Sequence, residues 1–175
     1  MINENYALGN WIKGDGDGTA LYNAVNGEQI TSASSKGLDF SSMMNYAREI
    51  GGPALRKMTF QERGLMLKKL ALHLHSIKNK FYSTSSFTGA TKLDSWIDIE
   101  GGIGNIFTNA SLRKEFPDLP YYIDGQAAKL SPNGTFIGHH IMVPKEGVSI
   151  HINCLLYTSD AADDLLCVDL GGRRI

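Results

Sequence analysis

The chain has 175 residues, 42% of them hydrophobic and 20% charged, with a formal net charge of -1. That mixture excludes global disorder, and near-neutrality leaves no electrostatic footprint for nucleic acid or an anionic membrane. No apolar run reaches the roughly 20 residues that span a bilayer, and Met1-Ile2-Asn3-Glu4-Asn5 has neither the basic nor the apolar region of a secretory signal, so the expected location is cytoplasmic.

Tyr6-Ala7-Leu8-Gly9-Asn10-Trp11-Ile12 reads as a short strand ended by the turn-rich run Gly14-Asp15-Gly16-Asp17-Gly18. Asp15 and Asp17 invite a calcium-loop reading, but Asn26 stands where an EF-hand needs its bidentate glutamate, which leaves a surface turn. Ala20 to Val25 and Glu28 to Ala33 flank Asn26-Gly27, a strong hairpin signal.

Helical pattern begins after Asp39, with Phe40, Met43, Met44 and Ala47 on one face and Gly51-Gly52-Pro53 as the stop. Thr59 and Glu62 form a Thr-x-x-Glu capping box at the head of a second helix. Leu67, Leu70, Ala71, Leu74 and Ile77 then recur at helical spacing and mark its buried face. His73 and His75 point in different directions on that helix, so they do not form a metal pair.

Two further helical stretches run from about Lys80 to Gly89 and from about Lys92 to Phe116. The latter carries Gly101-Gly102-Ile103-Gly104, which superficially resembles a phosphate-binding loop. It follows no strand and lacks the third glycine of G-x-G-x-x-G, so close packing against a neighbour is the expected role. After Pro117-Asp118-Leu119-Pro120 the pattern turns to strand. Tyr121 to Asp124 is short, Gly125 opens a longer segment, and Asn133-Gly134 signals a hairpin into Thr135 to Val143. His139 and His140 are adjacent in that strand and face opposite ways. Gly147 to Asn153 reads as the opening of a buried strand.

The two cysteines, Cys154 and Cys167, belong to a tail of a different kind. Cys154 to Asp163 resembles the translation of a transposase sequencing adapter, TGT CTC TTA TAC ACA TCT GAC GCT GCC GAC. Val168 to Ile175 resembles the flow-cell primer that follows it, GTA GAT CTC GGT GGT CGC CGT ATC. Asp164 to Cys167 fall where a variable barcode would sit, in the same frame. Residues 154–175 are therefore read as a non-native tail and set aside, which leaves 1–153 near neutral and free of cysteine.

Along 6–153 the residues resemble the aldehyde dehydrogenase superfamily. Tyr22-Asn23-Ala24-Val25-Asn26-Gly27-Glu28 is similar to the N-P-A-T-G-E hairpin, and Pro144-Lys145-Glu146-Gly147-Val148 to the E-P-x-G-V segment leading into the cofactor domain. More specific are Gly51 to Arg56, Asp94 to Gly104, Asp124-Gly125 and Gly134 to Gly138. These resemble the dehydrogenase half of the bifunctional enzymes that open and oxidise the oxepin-CoA ring in phenylacetate catabolism, with the semialdehyde dehydrogenases of benzoyl-CoA degradation as the alternative.

The resemblance implies an α/β fold truncated to its N-terminal part: a β-hairpin, a helical segment, oligomerisation-arm strands and the first strand of the cofactor domain. It implies a parent that oxidises a CoA-linked semialdehyde with NADP or NAD as a homo-oligomer. In that family a cysteine thiolate attacks the aldehyde, an asparagine amide helps stabilise the adduct, and a glutamate activates water. Those residues would lie downstream, so no catalytic residue is assigned and no cofactor is expected to bind this piece tightly. Ile152 and Asn153, where the family places the cofactor's edge, are the site candidates. Asn153 falls just before the oxyanion-hole asparagine and is not that residue. A noncatalytic module that joins a neighbouring sheet by edge pairing is the other reading, and unpaired edges and apolar faces predict insolubility of the isolated chain.

Overall fold

The computed structural model describes residues 2–150. Its N-terminal part is a four-stranded sheet of β1 (Ile2–Ala7), β2 (Asn10–Lys13), β3 (Thr19–Tyr22) and β4 (Gln29–Ala33), in the order β2-β1-β4-β3. The segment from Tyr6 to Ile12, read above as one strand, is a hairpin. Ala7 pairs with Asn10, and the two turn residues Leu8 and Gly9 both take positive φ, 53° and 82°. That is the geometry whose twist suits a two-residue hairpin. Glycine adopts it freely; leucine there gives no signal in the sequence. β3 and β4 form the expected antiparallel hairpin, closed by a wider turn in which the Asn23 amide donates to Glu28 O at 2.8 Å and Gly27 N to Asn23 O at 2.8 Å.

The helical layer begins with α1 (Phe40–Tyr46), capped by Asp39, whose carboxylate accepts from Ser42 N at 2.9 Å and from Ser42 Oγ at 2.6 Å. Gly51-Gly52-Pro53 does not stop it. A wide π turn over Ala47–Gly51 carries the chain into α2 (Gly52–Lys57), with the Gly52 amide donating to Ala47 O. Pro53 lacks the N–H that a regular helix would use there, and the wider turn accommodates the loss.

α3 (Phe60–Ser76) starts at the anticipated capping box: Thr59 Oγ1 accepts from Glu62 N at 3.2 Å and Glu62 Oε2 from Thr59 N at 2.9 Å. Such caps stabilise a helix by about 1 kcal/mol. α4 (Lys78–Ser85) and a 3-10 turn follow, ended by Gly89 in the left-handed conformation. α5 (Lys92–Ser111) opens on a second box, Thr91 with Asp94, and closes in another 3-10 turn.

α3 packs on α5, and Gly64 is the close point. A Cβ there would lie 2.7 Å from Arg113 Cβ and 2.9 Å from Ala110 O. Gln61 Nε2 donates to Arg113 O at 2.7 Å on the same seam. Ala71, Ile103 and Ala110 are buried between the helices, whereas Leu70, anticipated in the core, is 46% exposed, as are Leu65, Met66 and Leu72 to similar degrees. The apolar surface of α3 is wider than one partner helix covers.

Beyond α5, Phe116 stacks on Phe60 at 4.5 Å and meets Tyr122 edge-on at 5.3 Å. β5 (Tyr122–Lys129) and β6 (Ile137–Met142) then form a separate antiparallel ribbon, bulged between Asp124 and Ala128 around Gly125 at φ 70°. Val148 to Ile150 follow a bend at Gly147 and carry no strand assignment, and residues 151–153 of the anticipated strand lie outside the described residues.

Replacing Gly64 by alanine is expected to destabilise the chain by about 1–3 kcal/mol through overpacking. Gly101→Ala and Gly102→Ala, where an added Cβ meets nothing within 4 Å, are each expected to stabilise it by about 1 kcal/mol. Urea unfolding of the three variants checks both signs.

Candidate functional site

Ile152 and Asn153, the residues placed at the cofactor's edge, lie outside the described residues. The lesser candidates do not converge. His73 and His75 are exposed on α3, His139 and His140 on β6, and no group of three metal-capable side chains occurs among the described residues. The Asp15–Asp17 turn is tied down by its backbone: Asp15 N donates to Lys36 O at 2.8 Å and Ser34 Oγ to Asp15 O at 2.7 Å. Gly101, Gly102 and Gly104 lie within α5 rather than in a loop, and no neighbour approaches them. The structure therefore supports the helix and supplies no packing partner among the described residues.

What the fold does build is a cleft of about 500 Å³ where α4 meets the head of α5, lined by Asn79, Tyr82, Ser86, Ala90, Lys92 and Ser95. Asn79, Tyr82 and Ser86 recur at i, i+3 and i+7 and so share one face of the α4 region. Thr91 and Asp94 fix the first turn of α5: Asp94 N donates to Thr91 Oγ1 at 3.2 Å and Thr91 N to Asp94 Oδ2 at 3.1 Å. Ser95, 4% exposed, closes the floor, its hydroxyl 2.8 Å from that of Ser85.

Behind the cleft, Glu100 ties α5 to α4. Lys78 Nζ donates to Glu100 Oε1 at 2.7 Å and the Tyr82 hydroxyl donates to the same oxygen at 3.1 Å. The hydrogen bond from Lys78 holds the Glu100 carboxyl below its ordinary value. Burial, then the bond to Glu100, raises the Tyr82 phenol. The two shifts favour a carboxylate at Glu100 and a neutral phenol at Tyr82.

That constellation is suited to binding and holding. The phenol is stabilised in its protonated form, and the Ser85–Ser95 hydroxyl pair has no general base bonded to it among the described residues. The sequence held one sign of the site, the Thr-x-x-Asp pattern at Thr91. The Lys78–Glu100 pairing spans 22 residues and leaves no local signature.

A second polar feature sits on α3. The Arg63 guanidinium lies 4.6 Å from the centre of the Phe60 ring, and its Nη2 is buried without a hydrogen-bond partner among the described residues.

Because the folded carboxyl of Glu100 titrates below its ordinary 4.5, its contribution is complete above that pH and is lost as pH falls through the lowered value. Asp94, lowered from 3.8 by the Thr91 hydroxyl, acts in the same sense. Melting temperature is expected to drop below about pH 4.5 in the parent chain and to drop less in Glu100→Gln, which starts lower at neutral pH. Equal pH slopes would show that the clamp contributes nothing.

No family model matches the chain. It is 33% identical over 150 residues to the 3,4-dehydroadipyl-CoA semialdehyde dehydrogenase of Aromatoleum evansii, a match covering 85% of this chain and 29% of that relative. The chain thus spans less than a third of the relative's length, and it is related to a dehydrogenase.

Proposed function

We propose that the chain is the N-terminal part of an NAD(P)-dependent aldehyde dehydrogenase that oxidises a CoA-linked semialdehyde to the acid. The observation that carries this reading is the 150-residue similarity to a CoA-semialdehyde dehydrogenase. The mixed α/β architecture is compatible with it. The relative's substrate class suits both finer readings, the bifunctional enzyme of phenylacetate catabolism and the dehydrogenase of benzoyl-CoA degradation. On this reading the chain's own share is structural, with Ile152 and Asn153 at the cofactor's edge, and the cysteine nucleophile and activating glutamate come from the rest of the enzyme. The same reading takes 154–175 as a non-native tail.

A second reading, an assembly module without catalysis, draws on the β5–β6 ribbon. Two strands alone are marginally stable in water, and Ile123, Ile137, Ile141 and Met142 are each about half exposed. A sheet that adds a strand to this ribbon would cover them.

The two readings separate in a chimera. Residues 2–150 replace the matched segment of the Aromatoleum evansii enzyme, and NAD(P)H formation with a CoA-linked semialdehyde is followed. The dehydrogenase reading expects a folded chimera with activity within about tenfold of the relative's, and no activity from the 175-residue chain alone. A folded, inactive chimera would favour the assembly module.

A further inference from the structure

Resting on that dehydrogenase reading, we propose that the α4–α5 cleft receives the phosphate-bearing nucleotide end of the CoA-linked substrate. The acyl end of such a substrate goes to the reacting centre, so its charged nucleotide must be held elsewhere on the enzyme. The cleft has the chemistry for that end. Its lining contains one ammonium, Lys92, and no carboxylate. The nearest acids are engaged elsewhere, Glu100 with Lys78 and Asp94 with Thr91. A cation therefore finds no ligand set in the lining, while an anion finds an unneutralised charge.

The donors narrow the choice further. The Tyr82 hydroxyl donates to Glu100 at 3.1 Å and Ser86 Oγ to Ser83 O at 2.9 Å, so both protons are already used. Lys92 Nζ and the Asn79 amide remain as donors with no protein acceptor among the described residues. They sit on opposite walls, one on α4 and one on α5, an arrangement that straddles a group rich in acceptor oxygens. The Tyr82 ring and the Ala90 methyl supply apolar wall for an attached sugar or base. At about 500 Å³ the space lies within the roughly 300–1,000 Å³ of small-ligand clefts. It takes part of a CoA molecule and leaves the rest free to extend.

Hydrogen bonds brace the cleft on both sides. The Thr91–Asp94 box fixes the turn bearing Lys92, and the Ser85–Ser95 contact and the Glu100 clamp hold the two helices together on either side. Preformed donors lower the ordering cost of binding.

The test labels the 175-residue chain with an amine-reactive ester at submicromolar concentration and reads each lysine by peptide mass spectrometry. CoA, and separately inorganic phosphate, are added at equal concentration. The expected result is at least fivefold protection of Lys92 by CoA, none of Lys68 or Lys69 on α3, and little by phosphate. Equilibrium dialysis of CoA is expected to show at least tenfold weaker binding to Lys92→Ala and near-normal binding to Lys92→Arg. No protection by CoA, or equal protection by phosphate, which would mark an adventitious ion only, overturns the proposal. An active chimera with Lys92 unprotected sinks this inference alone. An inactive chimera with Lys92 protected sinks the dehydrogenase reading and leaves the anion cleft standing.

Discussion

The close approach of α3 and α5 at Gly64 is the constraint on which the described structure depends. With no side chain at that position, the helix carries its axis in toward Ala110 and Arg113, and Ala71 and Ile103 become a shared interior. Gln61 then reaches Arg113 O and Phe116 O, and the chain leaving α5 lies back across the head of α3. The Phe60–Phe116 stack and the bond from Phe60 N to Leu119 O, 3.1 Å, fix the exit toward the β5–β6 ribbon. At the other end Lys78 and Glu100 hold α4 to the same helix, which places the cleft. The N-terminal sheet joins this body through its hairpin tip, where Ala24 N donates to Phe87 O at 2.8 Å.

What this arrangement does not bury is as informative. No large side chain is fully buried among the described residues, and Trp96, Ile97 and Leu93 on α5 join Leu65, Met66, Leu70 and Leu72 on α3 in open exposure. Apolar surface on that scale marks contact faces rather than finished surface. The glycines of α5 tell the same story from the backbone. Each weakens an isolated helix by about 1 kcal/mol, and nothing among the described residues requires their smallness. The match covers 29% of the relative, so an enzyme of that length has further polypeptide against which such a face can rest.

Local signals were legible in the sequence and distant ones were not. Both the Thr59–Glu62 box and the Asn133-Gly134 turn depend on residues a few positions apart, so pattern alone located them. The Leu8-Gly9 turn was missed because leucine rarely accepts positive φ; pairing of the flanking strands overrides that preference. Gly51-Gly52-Pro53 carried a stop signal that a π turn absorbs. Leu70 fits the helical period yet faces outward, since periodicity gives the width of an apolar stripe and not how much of it a neighbour covers. The cleft depended on Lys78 meeting Glu100 and Ser85 meeting Ser95, pairings that only the folded helices create.

The central claim, that this is the leading part of a longer CoA-semialdehyde dehydrogenase, is tested most directly by sequencing the source DNA outward through and past the codon for Asn153. The genomic frame is expected to depart from this sequence at Cys154 and to continue into an asparagine-containing strand end, and later a glutamate and a cysteine. A genomic frame that reads Cys154 to Ile175 and then stops would contradict it, and the assembly module would become the better reading.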